Sequence, residues 1–293
     1  MTDLAVAIPR VSSVKTRSFA KGRPAPVYAL GHSTRELHRL STQGSLLEPL
    51  TRQIFRDAGI GPGMRVLDVG SGAGDVTFLA ADLVGDTGEV IGMDRSEVAL
   101  DVARARAKTH SLHNVSFQEG DPVEATFAQP FDAVVGRLVL MYYADPVTAL
   151  RRLVKHLRPS GVIAFHEADI NAVKSFPSAP TYDRCWQWIA ETFRLLGTET
   201  RMGMKLYSAF VAAGLPPPSM RLEAFVGSGV DASDWLHVVA ELTGTLLPEI
   251  TRLGVASNDE IGIGTLADRL CAENLASDGV VLSPSLIGAW SRL

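Results

Sequence analysis

Three aspartates stand where this sequence could hold a nucleoside ligand. Asp68, Asp94 and Asp121 each follow an apolar or alternating run of the kind that forms a strand. A carboxylate at the tip of a second strand can accept hydrogen bonds from both hydroxyls of a ribose, and one after a third strand can accept from an adenine amino group. Simpler roles stay open, because Asp94 could cap the next helix and Asp121 lies in an ordinary turn sequence, Gly-Asp-Pro.

After Asp68 the chain carries a glycine at every second position, Gly70, Gly72 and Gly74. Glycine lets a backbone approach a ligand closely, and the free N–H groups of a following helix favour an electron-rich group. A dinucleotide site would place its third glycine at position 75, where this chain has Asp75. A carboxylate suits a pyrophosphate poorly but suits the ammonium group of S-adenosylmethionine. The charges therefore favour an adenosyl-sulfonium ligand over a dinucleotide.

Several segments, in order, resemble the motifs of class I S-adenosylmethionine-dependent methyltransferases. Residues 66–74 are similar to the first motif of that family, and residues 131–135 to a later one. Residues 157–161 look like the segment before its fifth strand, with Ser160 in place of a glycine. The resemblance covers about residues 28–170, and its first residues are similar to a bacterial small-molecule subgroup.

Carried over position by position, the resemblance implies a set of cofactor-binding residues. The three glycines would lie along the methionine and ribose parts of the cofactor. Asp94 would bind the ribose hydroxyls, and Arg95 would lie beside the adenine. Tyr28 and His32 would close over the cofactor from the N-terminal arm. The set is Tyr28, Asp68, Gly70, Gly72, Gly74, Asp94, Arg95, Asp121, Pro122 and Arg137.

Strands and helices alternate regularly around these residues. Apolar runs predict strands at 65–69, 89–93, 115–118, 132–136 and 162–167, with helices at 75–84, 96–109 and 146–157. This alternation predicts an α/β fold with a doubly wound parallel sheet, whose ligands bind at the carboxyl ends of the strands. The resemblance implies a seven-stranded, mostly parallel sheet of the Rossmann-like methyltransferase fold, completed by a final strand hairpin and carrying helical lid insertions.

The flanking segments follow less regular patterns. Residues 34–58 have helical periodicity that Gly44 and Pro49 interrupt, which predicts two short helices. Beyond residue 170 we expect helices from Thr181 and over 203–213, 231–252 and 258–276, with strands at 220–226 and 280–290. We therefore divide the chain into an N-terminal arm and helical lid (1–58), a cofactor-binding core (59–170) and a helical substrate lid with C-terminal strands (171–293).

Glu167 is the best candidate for a catalytic group. Strand alternation places it with Phe165 and Asp169 on one face, and His166 on the other. At the end of a strand, a partly desolvated carboxylate could act as a general base or hold a substrate. The alternatives are an ion pair with an arginine or hydrogen bonds from loop N–H groups. His166 is the weaker base, and we expect no metal site here because adjacent strand side chains diverge.

The acceptor is expected to contact residues after the fourth strand and beyond residue 170. Met141 and Tyr142 follow that strand, and Tyr142 could stabilise a carbocation by a cation–π contact. Trp186 lies in an apolar helical stripe that faces either the acceptor or the core. Arg184 and Arg201 could bind an anionic group, although a solvated surface is the simpler interpretation.

The resemblance therefore implies methyl transfer to an oxygen or nitrogen atom of a small, largely apolar metabolite. One alternative is carbon methylation of an alkene such as a prenyl diphosphate, with Glu167 as the general base and an arginine at the diphosphate. A second alternative is a dinucleotide-binding oxidoreductase. A third keeps the cofactor site for sensing or assembly, without catalysis, and predicts a pocket that large side chains close.

Composition limits the partners. The 293 residues carry a net charge of −4, which gives no sign of the basic face that a nucleic-acid-binding protein presents. No apolar run approaches the roughly 18–20 residues that cross a bilayer. Two distant cysteines, Cys185 and Cys271, favour a reduced, cytoplasmic setting. We expect a small-molecule partner, no nucleic acid and no membrane, and the sequence leaves a homo-oligomer open.

Overall fold

A computed structural model describes residues 30, 31 and 34–293, so the predicted contacts of Tyr28 and His32 lie outside the described residues. The helices are α1 (Thr34–Asp57), α2 (Asp75–Val84), α3 (Glu97–Thr109), α4 (Pro146–Leu153), α5 (Pro180–Leu195), α6 (Met202–Ala213), α7 (Ser233–Arg252), α8 (Asn258–Ile261) and α9 (Leu266–Ala276). The strands are β1 (Arg65–Val69), β2 (Glu89–Asp94), β3 (Val115–Glu119), β4 (Phe131–Arg137), β5 (Leu157–Asp169), β6 (Lys174–Phe176), β7 (Ser219–Glu223), β8 (Val226–Ser228), β9 (Val280–Leu282) and β10 (Ser285–Arg292).

The main sheet has seven strands in the order β3-β2-β1-β4-β5-β10-β7. The first five run parallel, with Val66 of β1 opposite Val90 of β2 and Ala133 of β4. β10 pairs antiparallel with both β5 and β7. The strand order reverses between β1 and β4, where a doubly wound sheet opens a crevice for ligands. The predicted seven-stranded, mostly parallel, Rossmann-like sheet is confirmed.

The central strands are apolar on both faces because both faces are covered. Val66 packs into a core that includes Ile54 of α1 and Leu79 of α2. Leu67, the next residue, points the other way, into a core that includes Leu150 of α4. All four side chains named on β1, α1 and α4 are less than 1% exposed. Alternate burial on two faces is what a parallel sheet between helical layers requires.

A helical assembly with a small antiparallel sheet, β6-β9-β8, follows the core. α7 packs against α1, α5 and α9. Its buried side includes Trp235, Val239 and Leu242. The strand predicted over 280–290 is two strands in different sheets, separated at Ser283 and Pro284. The division of the chain into three functional parts stays a prediction.

Two helix predictions are wrong at their breaks. Residues 34–58 were expected to form two helices, yet α1 is continuous and contains Pro49. Burial of Ile54 and Phe55 overrides the local propensity. Only glycine lets α1 approach Asp75 this closely at position 44, since a Cβ there would lie 2.8 Å from the Asp75 carboxyl carbon. The helix predicted over 258–276 is divided at Gly262, whose φ of +56° ends α8.

In the part of the chain that the structure describes, no helix is both long enough and apolar enough to cross a bilayer.

Candidate active site

A cavity of about 620 Å³ lies at the carboxyl ends of β1, β2, β4 and β5. Its polar lining comes from the loop after β1 and the end of β2, with Gly72, Asp75 and Asp94 among the residues, and also from α1 and the end of β4. Its apolar lining comes from α5 and α7, with Trp186 and Trp235 among the residues, and also from α1 and the segment after β4. A cavity of this size and composition is typical of a small-molecule site.

The glycine loop is held against β2 by its own backbone. The N–H groups of Gly70 and Ser71 both donate to the Met93 carbonyl, at 2.8 and 2.9 Å. Gly70 has φ of +69°, and a Cβ there would lie 2.5 Å from Cγ2 of Val139. Gly72 has φ of +51°, but a Cβ there would meet no protein atom within 4 Å. The open space above Gly72 belongs to the cavity, so the loop is a cradle for a ligand.

Asp94 lines the cavity at the end of β2. Its Oδ2 accepts from the N–H of Gly72 at 2.9 Å, and its Oδ1 from the N–H of Ser96 at 2.9 Å. The cap of α3 is Ser96, whose hydroxyl accepts from the N–H of Ala99. Asp94 therefore does not serve as the helix cap, and its carboxylate ties the glycine loop to β2 at the edge of the cavity.

Asp121 joins three residues at the end of β3. It forms an ion pair with Arg95, and its Oδ1 accepts from the Tyr143 hydroxyl at 2.9 Å. Burial opposes ionisation, but hydrogen bonds from Arg95, Val123 and Tyr143 hold the pKa of Asp121 below its usual range. The Arg95 guanidinium also lies 5.5 Å from the centre of the Tyr143 ring. Pro122 and Tyr143 line the cavity, whereas Asp121 acts from behind them.

Arg137 lines the cavity from the end of β4 and is anchored to α1. Its Nη1 donates to the Thr51 hydroxyl at 3.1 Å, and that hydroxyl donates to the Leu47 carbonyl. The Thr51 hydroxyl also lies 3.1 Å from Nδ1 of His166. Because the single hydroxyl proton is already donated to Leu47, Nδ1 must be the donor in this contact. Burial, followed by the charge of Arg137, lowers the pKa of His166 to about 3. His166 is a neutral structural group outside the cavity lining, not a base.

Asp68, expected at the cofactor, is fully buried behind the glycine loop and does not line the cavity. Its Oδ2 accepts from the Thr77 hydroxyl at 2.6 Å, which links β1 to α2. Burial raises the pKa of Asp68 to about 7, against the lowering effects of Thr77 and Arg137. The carboxyl group joins β1 to α2 behind the cavity, so the structure does not support the predicted direct contact with the cofactor.

The raised pKa of Asp68 predicts a pH-dependent stability. Between about pH 4 and 7 the folded chain keeps a proton on Asp68 that the unfolded chain has lost. This contribution to stability is complete below pH 4 and is lost as pH rises through 7. We expect the free energy of unfolding of Asp68→Asn, relative to wild type, to increase between pH 5 and pH 8 by at least about 1 kcal/mol. Urea unfolding at both pH values measures it, with exposed Asp231→Asn as the control, and equal differences for both variants would contradict the assignment.

The structure corrects the predicted placement of Glu167. The side chain is 0% exposed and does not line the cavity. Its Oε1 accepts from the N–H groups of Val139 and Leu140 at 2.9 and 2.8 Å, and its Oε2 faces the N–H of Met141 at 3.4 Å. Burial raises the pKa of Glu167 to about 7, although these N–H groups lower it. The loop-holding alternative describes this geometry, and direct contact with an acceptor does not.

Two predicted substrate residues are also displaced from the cavity. Arg184 is exposed on α5 and pairs with Glu260 at 3.0 Å. Arg201 is exposed before α6 and is absent from the cavity lining. Both arginines follow the simpler interpretation of a solvated surface. Among residues 30, 31 and 34–293, no group of three histidine, cysteine, aspartate or glutamate residues could hold a metal ion.

The apolar part of the cavity combines predicted and unpredicted residues. Met141, Tyr142 and Trp186 line it, as the sequence indicated. The α7 residues were missed, although amphipathic periodicity over 231–252 is a signal that could have shown a buried face. Trp186 stacks on Trp235 with ring centres 6.0 Å apart and planes inclined by 15°. The lining that sequence reasoning did not find is Trp235, Val238, Val239 and Leu242.

The chain is similar in sequence to known proteins. A family model described as a methyltransferase domain matches residues 60–213, just over half of the chain. A demethylmenaquinone methyltransferase from Staphylococcus aureus (strain MRSA252) is 34% identical over 136 residues, which cover 46% of this chain and 53% of that protein. The chain thus spans about half the length of the curated relatives it matches.

Two solved structures share the architecture. A protein from Bacillus halodurans C-125, described as a candidate methyltransferase, matches with a TM-score of 0.53 and 16% identity over 82% of this chain and 96% of that one. The YcgJ protein from Bacillus subtilis matches with a TM-score of 0.51 and 17% identity over the same shares of the two chains. At such identities the likeness shows the fold alone.

Proposed function

This chain belongs to the methyltransferase-domain family and takes S-adenosylmethionine as its cofactor, and we propose on that basis that it methylates a small, largely apolar acceptor at oxygen or nitrogen. The observation that carries the proposal is a cavity in which a glycine cradle and carboxylates stand beside an apolar wall. The glycine cradle and the carboxylates fit the methyl donor, and the apolar wall fits the acceptor. The curated relatives support methyl transfer, and both the acceptor and its reacting atom are our own inference.

The residues present fit the donor. Gly72 leaves open space that a side chain would fill, as close contact with a ligand requires. Asp94 offers carboxylate oxygens for ribose hydroxyls, and Asp75, which pairs with Arg106 at 2.8 Å, lines the same cavity and would place its carboxylate near an ammonium group. Pro122 and Tyr143 provide surfaces for an adenine ring. When bound, S-adenosylmethionine supplies a methyl group that is already activated on a sulfonium.

The protein's own contribution to the transfer is placement. Trp186, Phe193 and Trp235 give the acceptor apolar and aromatic surfaces, while the glycine loop fixes the donor. Alignment of two reactants can supply most of the acceleration in a displacement of this kind. Of the described aspartates and glutamates, only Asp75 and Asp94 line the cavity, both on its donor part. The acceptors that fit best are therefore those that lose their proton without a protein carboxylate, such as phenolic hydroxyls or neutral amines.

The alternatives have less support. Carbon methylation of a prenyl diphosphate needs an anion site and a base, yet Arg184, Arg201 and Glu167 do not line the cavity. Arginines do line it, namely Arg39, Arg95 and Arg137, so what the described residues lack is a carboxylate base on the apolar part of the cavity. The match to a methyltransferase-domain family supports methyl transfer over the alternative of a dinucleotide-binding oxidoreductase. A purely sensing protein was expected to have its pocket closed by large side chains, and the cavity of about 620 Å³ does not fit that expectation.

An acceptor panel tests the proposal. Purified protein is incubated with S-adenosylmethionine and phenols, apolar amines, demethylmenaquinone and carboxylic acids, with S-adenosylhomocysteine release and product mass as readouts. We expect turnover with apolar phenols or amines and none with carboxylic acids. Turnover restricted to anionic acceptors, or S-adenosylhomocysteine release that is equal without acceptor, would overturn the proposed acceptor class while leaving the family assignment intact.

The displaced arginines give a further prediction. Arg184→Ala and Arg201→Ala should each leave kcat/KM for the best acceptor within about twofold of wild type, because both side chains are solvated and outside the cavity. Steady-state kinetics with both substrates measures it. A loss of more than tenfold in either variant would return an anion site to the acceptor.

A further inference from the structure

The segment 138–143, here called the β4 loop, is bound to β5 by four consecutive N–H groups. The N–H of Leu138 donates to the His166 carbonyl at 2.9 Å. The next two donate to Oε1 of Glu167 at 2.9 and 2.8 Å, and that of Met141 faces Oε2 at 3.4 Å. One buried carboxylate therefore serves three successive peptide groups that no helix or strand would satisfy.

The loop begins with an unfavourable backbone conformation. Leu138 has φ of +53°, a left-handed value that a leucine rarely adopts because its Cβ then crowds the following carbonyl oxygen. Such a conformation persists only where its surroundings determine it. Here the determining contacts lie on both sides of the Leu138 peptide, at His166 and Glu167. Glu167 thus stabilises a turn that the sequence would not form by itself.

The turn places three surfaces of the cavity at once. Val139 meets the glycine loop so closely that a Cβ on Gly70 would lie 2.5 Å from its Cγ2. Tyr143 donates to Asp121 on the adenine side. Met141 and Tyr142, which lie between Val139 and Tyr143 in the sequence, line the cavity. A displacement of the β4 loop would therefore disturb the donor cradle as well as the acceptor wall.

We propose that Glu167 is a positioning residue, which holds the β4 loop in its left-handed turn and thereby shapes the donor site, instead of removing a proton from the acceptor. This proposal rests on the donor site of the proposed function and not on the identity of the acceptor. Its readout is therefore the binding of S-adenosylhomocysteine, which needs no acceptor and can succeed where the acceptor panel fails.

Two substitutions at Glu167 separate the roles. Glu167→Gln keeps one acceptor oxygen, and Glu167→Leu removes both. Because the glutamine oxygen can still accept from the two N–H groups at Oε1 and leucine accepts from none, we expect the Kd for S-adenosylhomocysteine to rise about 10-fold in the first variant and about 100-fold in the second. Calorimetric titration at a temperature where circular dichroism shows each variant folded gives the values. The KM for S-adenosylmethionine should rise in the same order.

A rescue variant makes the assignment specific. Glycine adopts positive φ freely, so adding Leu138→Gly to Glu167→Gln should lower the Kd at least about threefold. Leu138→Gly alone measures what is lost with the side chain, because Leu138 also lines the cavity. Asn274→Ala is the matched control for stability, since it removes a buried hydrogen bond to the Gly229 carbonyl far along the chain. Its Kd should match wild type. Unchanged donor affinity in Glu167→Gln together with a large loss of kcat, or no recovery in the double variant, would overturn the positioning role.

Discussion

Gly72→Ala is expected to weaken the binding of S-adenosylhomocysteine by about 100-fold or more while the chain stays folded. The added methyl group meets no protein atom within 4 Å and projects into the cavity, where it takes space that the donor needs. The positive φ of +51° adds a strain of roughly 1–2 kcal/mol to the folded state. Calorimetric titration and thermal unfolding separate the two effects.

Gly214→Ala is the matched control for this strain. Gly214 caps α6 with φ of +85°, and a Cβ there would also meet nothing within 4 Å, but the residue does not line the cavity. We expect a similar fall in Tm with unchanged donor affinity. Gly70→Ala should behave differently again, because its Cβ would collide with Val139 and damage the loop itself. Equal affinities for Gly72→Ala and Gly214→Ala would refute the cradle.

The position of the cavity could be predicted from sequence because its signals are local, whereas the donor contacts of its residues stay a prediction. Gly70, Gly72 and Asp94 lie at strand ends, and the rule that ligands bind at the carboxyl ends of a parallel sheet brings those ends together without knowledge of side-chain packing. Asp68 and Asp121 were placed on the right strands, but one acts through Thr77 and the other behind Pro122 and Tyr143. The sequence pattern predicts the strand end at which each residue lies, but it does not predict how deeply its side chain is buried.

Glu167 shows why the rest could not be predicted. Alternation along β5 correctly gives the neighbours of this residue within the strand. The partners of its carboxylate are instead three N–H groups of the β4 loop, which exist as a group only because Leu138 adopts a left-handed conformation. No local propensity favours leucine there. A turn imposed by tertiary contacts is invisible to patterns of residue type.

The acceptor wall is likewise a product of long-range packing. α5 and α7 are each amphipathic, so a buried face could be expected for both. Which residues of those faces border a cavity depends on how α7 packs against α1 and α5. Trp186 was therefore found as a candidate, whereas Trp235, its stacking partner, was not.

Trp186→Leu is expected to lower kcat/KM for the acceptor by about 30-fold or more, with donor affinity within about twofold of wild type. The indole is 6% exposed, lines the cavity and stacks on Trp235, which is itself held by a hydrogen bond from its Nε1 to the Tyr182 hydroxyl at 2.9 Å. Leucine removes an aromatic surface of the size that commonly dominates small-molecule contacts. Steady-state kinetics with the best acceptor of the panel, and titration with S-adenosylhomocysteine, give the two quantities.

Trp188→Leu supplies the control from the same helix. Residues two apart on a helix project in different directions, and Trp188 is equally buried, at 5% exposure, yet lies outside the cavity lining with Arg184 over its ring. The two substitutions remove the same group from buried positions, so their effects on Tm should be comparable. Only Trp186→Leu should change acceptor kinetics, since only its indole faces the cavity. A similar loss of kcat/KM in both variants would mean that packing of α5, and not contact with Trp186, determines acceptor binding.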